Sequence, residues 1–222
     1  MAFLYRIAFA FALLGAVPVQ AQTFAVNLGD RTLGTMTFQR DGAAAFLRSS
    51  LNNTPLNLFN GTLDASSRPV RMQSGETRRQ LLARSDTTRK NREVSVIMDG
   101  GTVTQVVVNP ASENTSLSVA ERVPAGVLDP VRAFGQIATA QDCPGVLQMY
   151  DGRRAVQLSP SARAQTDAGL RCDMDYRVIA GPGHLAPLSF KNASVTLIYD
   201  ASGLAALEIS TGPFAVNIVR TP

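Results

Sequence analysis

The sequence predicts an all-β fold, mainly antiparallel and bent into a curled sheet or open barrel, with one short α-helix near 130–140. Three observations predict it. Short runs alternate apolar and polar residues, turn residues punctuate them at close intervals, and a single stretch carries apolar residues at helical spacing.

The chain opens with MAFLYRIAFAFALLGAVPVQAQ, in which Arg6 precedes an apolar run from Ile7 to Val19 and then Val19-Gln20-Ala21. This order matches a secretory signal peptide with cleavage after Ala21. A membrane-spanning helix needs about 20 apolar residues, more than the run supplies. The expected organisation is therefore a signal peptide over 1–21 and one β-rich domain over 22–222, exported to the periplasm, with no transmembrane span in the mature chain.

The strands follow in order. FAVNLGDRTLGTMTFQRDG alternates through Phe24, Val26 and Leu28, breaks at Gly29-Asp30, resumes through Met36 and Phe38, and breaks again at Asp41-Gly42. EVSVIMDGGTVTQVVV reads as a hairpin, with Val94–Met98 and Thr102–Val108 flanking Asp99-Gly100-Gly101, where glycine supplies the positive φ of a tight turn. TRKNREVSV reads as a strand with alternate residues solvated. In LDPVRAFGQIATA, Asp129 is a helix cap, Pro130 suits the first helical position, and Val131, Phe134 and Ile137 follow at helical spacing.

In CPGVLQMYDGRRAVQL, Asp151-Gly152 reads as a two-residue hairpin turn, with Tyr150 facing Arg153 and Met149 facing Arg154. Arg153 and Arg154 then fall on opposite faces, which argues against a joint grip on phosphate. LRCDMDYRVIA follows as a strand with Cys172, Met174, Tyr176 and Val178 on one face and Asp173, Asp175 and Arg177 on the other. ASVTLIYDASGLAALEISTGPFAVNIV supplies two or three more strands.

Cys143 and Cys172 are the two cysteines. In an exported chain they are expected to form a disulfide. Two strands separated by a third lie about 9.6 Å apart, beyond bridging range, so Cys143 is expected in a loop that ties the helix end to the strand holding Cys172. Two cysteines without CxxC spacing and one histidine, His184, give too few soft ligands for a metal site. No GxSxG elbow is present, and Asp173 and Asp175 with Arg177 read as a solvated charge ladder. No catalytic residue, metal or cofactor is expected.

The net charge is +4. The positive charge is local: Arg68, Arg71, Arg78, Arg79, Arg84, Arg89, Lys90 and Arg92 are opposed within 68–92 only by Glu76 and Asp86. Nucleic acid is not the expected partner, because no aromatic stacking platform accompanies the charge. The segment is either a solvated edge strand or an anion-binding or partner-binding face, for which Arg78, Arg79, Arg84, Arg89, Lys90 and Arg92 are the candidates.

The succession of VPAGVLDPVRAFGQI, CPGVLQMYDGRRAVQL and CDMDYRVIAGPGHLAPLSF, with SDTTRKNREVSV upstream, resembles an uncharacterised bacterial envelope family, domain of unknown function 3108. The similarity extends over most of 22–222 and rests on the Asp-Pro helix start, Asp-Gly-Arg-Arg, and Cys-x3-Tyr followed by Ala-Gly. The resemblance implies an exported β-rich protein of no established biochemical activity, loosely similar to open-barrel envelope proteins that carry lipoproteins. Two readings follow. The first is a non-enzymatic envelope protein holding a lipid or other amphipathic ligand in its curled sheet. The second is an interaction protein whose 68–92 segment docks an acidic partner or the anionic envelope surface.

Overall fold

The computed structural model describes residues 20–57, 60–88, 90–184 and 189–222. Residues 1–19 of the signal peptide expected over 1–21, and Arg89, lie outside the described residues. The described chain forms one antiparallel sheet of 13 strands. Strands β1 (Gln20–Leu28), β2 (Arg31–Asp41), β3 (Ala44–Leu51), β4 (Gly61–Arg71), β5 (Thr77–Thr87), β6 (Asn91–Asp99) and β7 (Thr102–Asn109) form a first meander. After the helix α1 (Pro130–Thr139), a second meander runs through β8 (Leu147–Tyr150), β9 (Ala155–Thr166), β10 (Gly169–Ala180), β11 (Asn192–Asp200), β12 (Gly203–Thr211) and β13 (Phe214–Arg220). Pairing of β1 with β13 joins the two, from Phe24 opposite Arg220 to Leu28 opposite Val216.

The glycine turns fall where their conformation is needed. Leu28 pairs with Arg31 across Gly29-Asp30, and Asp99 pairs with Thr102 across Gly100-Gly101, with Gly29 at φ +57° and Gly100 at φ +58°. The segment TRKNREVSV departs from the single strand expected. β5 ends at Thr87 and β6 begins at Asn91, because Thr87 Oγ1 donates to Lys90 O and accepts from Lys90 N, closing a turn without glycine or proline. The hairpin after Cys143 also departs. Tyr150 pairs with Ala155 and Met149 with Val156, so the loop is the four residues Asp151–Arg154. The Asp151 carboxylate accepts from both Arg153 N and Arg154 N at 2.9 Å, which lengthens the turn. Tyr150 is fully buried and faces Ala155, where Arg153 was expected opposite it.

Helix α1 lies on the concave side of the sheet. Val131, Ala133 and Ala138 are fully buried, and the Phe134 ring meets Phe24 at 5.8 Å and Phe38 at 5.6 Å in edge-on geometry. The strands beneath present small side chains there, Ala45 on β3 with Ala65 and Ser67 on β4, so the helix approaches closely. Gly135 sits so near Phe38 that a Cβ would come within 2.8 Å of the ring. Asp129 caps the helix from a fully buried position: one carboxylate oxygen accepts from Arg132 N at 2.9 Å and the other from Ser67 Oγ at 2.8 Å. The chain leaves α1 at Ala140, and Cys143 is disulfide-bonded to Cys172 on β10 with a Cα separation of 5.5 Å. Because β9 lies between β8 and β10, the bridge is made from the loop and not from β8.

The sheet is not closed by strands, since β7 and β8 form its two edges. Residues 110–129 fill the gap. Gly126 N and Val127 N donate to Gly101 O beside β7, while Leu128 N donates to Gln148 O and Tyr150 N to Leu128 O on the β8 side. Thr115 Oγ1 and Ser118 Oγ donate to the carbonyls of Arg153 and Gly152, and the Tyr150 hydroxyl donates to Leu117 O. Across this seam Gly152, at φ +93°, leaves room for Val94 alone: a Cβ would stand 2.3 Å from Val94 Cγ1. Gly152→Ala is expected to cost about 2 kcal/mol in chemical denaturation, from left-handed backbone strain and overpacking together. Adding Val94→Ala should recover the packing share and leave the strain.

Candidate anion site at the mouth of the sheet

The charges of 68–92 do not form one surface. β5 is 11 residues long and carries Arg78 and Arg79 at its start and Arg84 midway, while Lys90 and Arg92 follow its far end. A strand of that length spans about 35 Å. Arg78 pairs with Glu76 at 3.0 Å. Arg84 belongs to a row across the convex face in which Arg48, Asp64, Arg84 and Glu93 stand opposite one another on successive strands. Arg48 meets Asp64 at 3.1 Å and Arg84 meets Glu93 at 2.6 Å. The groove of about 480 Å³ along this row is lined by charges that already have partners. Such exposed pairs contribute little energy, about 0–1 kcal/mol each, but they oppose register slips.

Lys90 and Arg92 are held by Glu113, which the sequence reading did not single out. Glu113 is buried in the segment between β7 and α1, and accepts from Lys90 Nζ at 2.6 Å and Arg92 Nη2 at 2.5 Å. Arg153, from the β8–β9 turn, stands 3.3 Å from the same carboxylate and donates through Nε to Glu113 O. The Lys90 hydrogen bond, with those of Arg92 and the Arg92 and Arg153 charges, pulls the Glu113 carboxyl down to about 2 against the opposing effect of burial. The cluster joins both sides of the seam and is structural.

His184 is the histidine of the Gly/Pro loop, and its Nε2 lies 2.6 Å from the Tyr176 hydroxyl. Burial, helped by the Arg154 charge and opposed by Asp151, lowers its pKa to about 4, so it is neutral at pH 7. A histidine whose folded pKa lies below its ordinary 6.5 stabilises the fold fully above pH 6.5 and progressively less as pH falls toward 4. Stability of the wild type is therefore expected to decline over that window, and His184→Phe should flatten the decline. Asp173 is engaged by Arg171 at 2.9 Å and accepts from Thr196 Oγ1, while Asp175 is exposed.

A concavity whose arginines stand outside the salt bridges of the described residues lies at the end of the sheet where α1 meets the β2–β3 turn. It measures about 240 Å³ and has Ala43 and Ala44 of the β2–β3 turn in its apolar wall, with the buried Phe38, Ala45, Val131 and Gly135 behind them. Three arginines line it, Arg40 from the end of β2, Arg79 from the start of β5 and Arg132 from the first turn of α1. Among the described residues none of the three is in salt-bridge contact with a carboxylate, and Arg79 Nη1 donates to Ala43 O at 3.0 Å. Burial and the neighbouring Arg132 charge push the Arg79 guanidinium below its ordinary range, and Asp129 partly restores it. Arg79 was among the sequence candidates. Arg40 and Arg132 were not, since neither belongs to the basic run.

No family model and no curated protein matches the sequence. The chain is similar to a solved protein of unknown function. That structure is the beta-barrel-like protein of domain of unknown function DUF1849 from Brucella abortus, 12% identical, with 91% of this chain and 95% of that chain covered and a TM-score of 0.48.

Proposed function

We propose that this is a non-enzymatic, exported envelope protein of the periplasm that binds an amphipathic anion at the α1 mouth. The observation that carries the reading is that Arg40, Arg79 and Arg132, none of them in a salt bridge among the described residues, line one concavity with an apolar wall. Guanidinium forks suit phosphates and carboxylates, and a pocket of mixed apolar and cationic lining suits a ligand with both characters. The mouth is proposed in place of the interior of the curled sheet because Phe134 of α1 packs there against Phe24 and Phe38. At about 240 Å³ it lies below the 300–1,000 Å³ typical of pockets that engulf a ligand, which favours capture of a head and its adjoining carbons. Membership of domain of unknown function 3108 is part of the same proposal, on the motifs that resemble it.

The test is calorimetric titration with single-chain amphiphiles below their micelle concentration. An anionic amphiphile, dodecyl phosphate or dodecanoate, is expected to bind and neutral dodecyl maltoside to bind at least tenfold more weakly. Arg132→Gln should weaken the anion at least tenfold, while Arg84→Gln, in the convex charge row, should leave it unchanged. Absence of binding by either anion, or equal loss in both variants, would overturn the reading.

A further inference from the structure

We infer that the head recognised at this mouth is a phosphate monoester and not a carboxylate, an assignment that rests on the amphipathic-anion reading above. Charge balance carries it. Three arginines from three separate elements line one small concavity, and the carboxylate whose charge acts on Arg79 is that of Asp129. Asp129 is fully buried, with one oxygen accepting from Ser67 Oγ and the other from Arg132 N. It offsets one of the three charges and already caps the helix. The remainder is matched by a dianion, whereas a carboxylate would leave a positive charge uncompensated beside the half-buried Arg79 and Arg132.

Geometry agrees. One carboxylate presents two oxygens and is satisfied by one bidentate arginine. A phosphate monoester presents three terminal oxygens in a pyramid, and the three arginines that line the concavity come from the β2 end, the β5 start and α1. Arg79 is fixed by its bond to Ala43 O, which holds one fork in place before a ligand arrives. The exposed Ala43 and half-buried Ala44 of the lining then meet the carbon atoms next to the ester oxygen.

The experiment compares dodecyl phosphate, dodecanoate and inorganic phosphate on the intact protein by calorimetry at pH 7.5 and pH 5. Dodecyl phosphate is expected to bind at least tenfold more tightly than dodecanoate at pH 7.5. The advantage should shrink at pH 5, where the phosphate takes up its second proton, whose pKa is about 6. Inorganic phosphate is expected to bind at least tenfold more weakly than dodecyl phosphate, because it leaves the apolar wall unused. Equal or tighter binding of dodecanoate would overturn the phosphate assignment and leave the amphipathic-anion reading standing. Failure of both amphiphiles would remove that reading itself. Inorganic phosphate matching dodecyl phosphate would place the site with free phosphate and overturn the amphiphile.

Discussion

Replacing Glu113 with glutamine is expected to destabilise the fold by about 3 kcal/mol, because the change leaves the charges of Lys90, Arg92 and Arg153 gathered without their shared carboxylate. The figure sits at the low end for a buried ion cluster since the Lys90 side chain is 59% exposed and water screens it. For a chain of this size that is a fall in melting temperature of about 10 °C. The sign of its pH dependence follows from the carboxyl's folded pKa of about 2 against an ordinary 4.5. The stabilisation is complete above pH 4.5 and is lost as pH falls toward 2. Wild type and Glu113→Gln should therefore differ at pH 7 and converge near pH 2. A gap that persists at pH 2 would show that the side chain's shape and not its charge is responsible.

Loss of the Cys143–Cys172 bridge is the other large effect. The sequence separation is 29, and in the chain-entropy account a loop of that size corresponds to roughly 3 to 4 kcal/mol. The bridge joins the segment leaving α1 to the buried face of β10, so its removal loosens the connection between helix and second meander. A Cys143→Ser, Cys172→Ser double variant should remain folded at 25 °C and unfold at lower denaturant concentration. Its hydrogen exchange should accelerate most in residues 140–146. Uniform acceleration would mean that the loop is held by its packing against the core.

Much of the fold was legible because its determinants are local. Glycine at the first turn position specifies Gly29-Asp30 and Gly100-Gly101, and Asp129-Pro130 marks a helix start whichever way the chain then packs. What was misread depends on side-chain bonds that ordinary residues make in turns. The Thr87 hydroxyl closes a turn inside a stretch that alternates like a strand. The Asp151 carboxylate binds two backbone amides and stretches a two-residue turn to four.

The candidate site was legible only in part. Counting charge along the chain finds neighbours in sequence, yet antiparallel strands carry Arg78 and Arg92 apart and bring Arg40, Arg79 and Arg132 together. Glu113 illustrates the same limit. Its partners lie 21, 23 and 40 residues away, and nothing in Ala111-Ser112-Glu113 distinguishes it from a surface acid.

The most direct test of the mouth as the binding place is nuclear magnetic resonance of the arginine Nε–Hε groups and backbone amides during titration with dodecyl phosphate. The account predicts saturable shifts at Arg40, Arg79 and Arg132 and at the amides of residues 43–45, with the signals of Arg84, Arg92 and Arg153 unmoved. Shifts centred on Arg92 and Arg153, or on buried Met174 and Leu197 of the second meander, would contradict it.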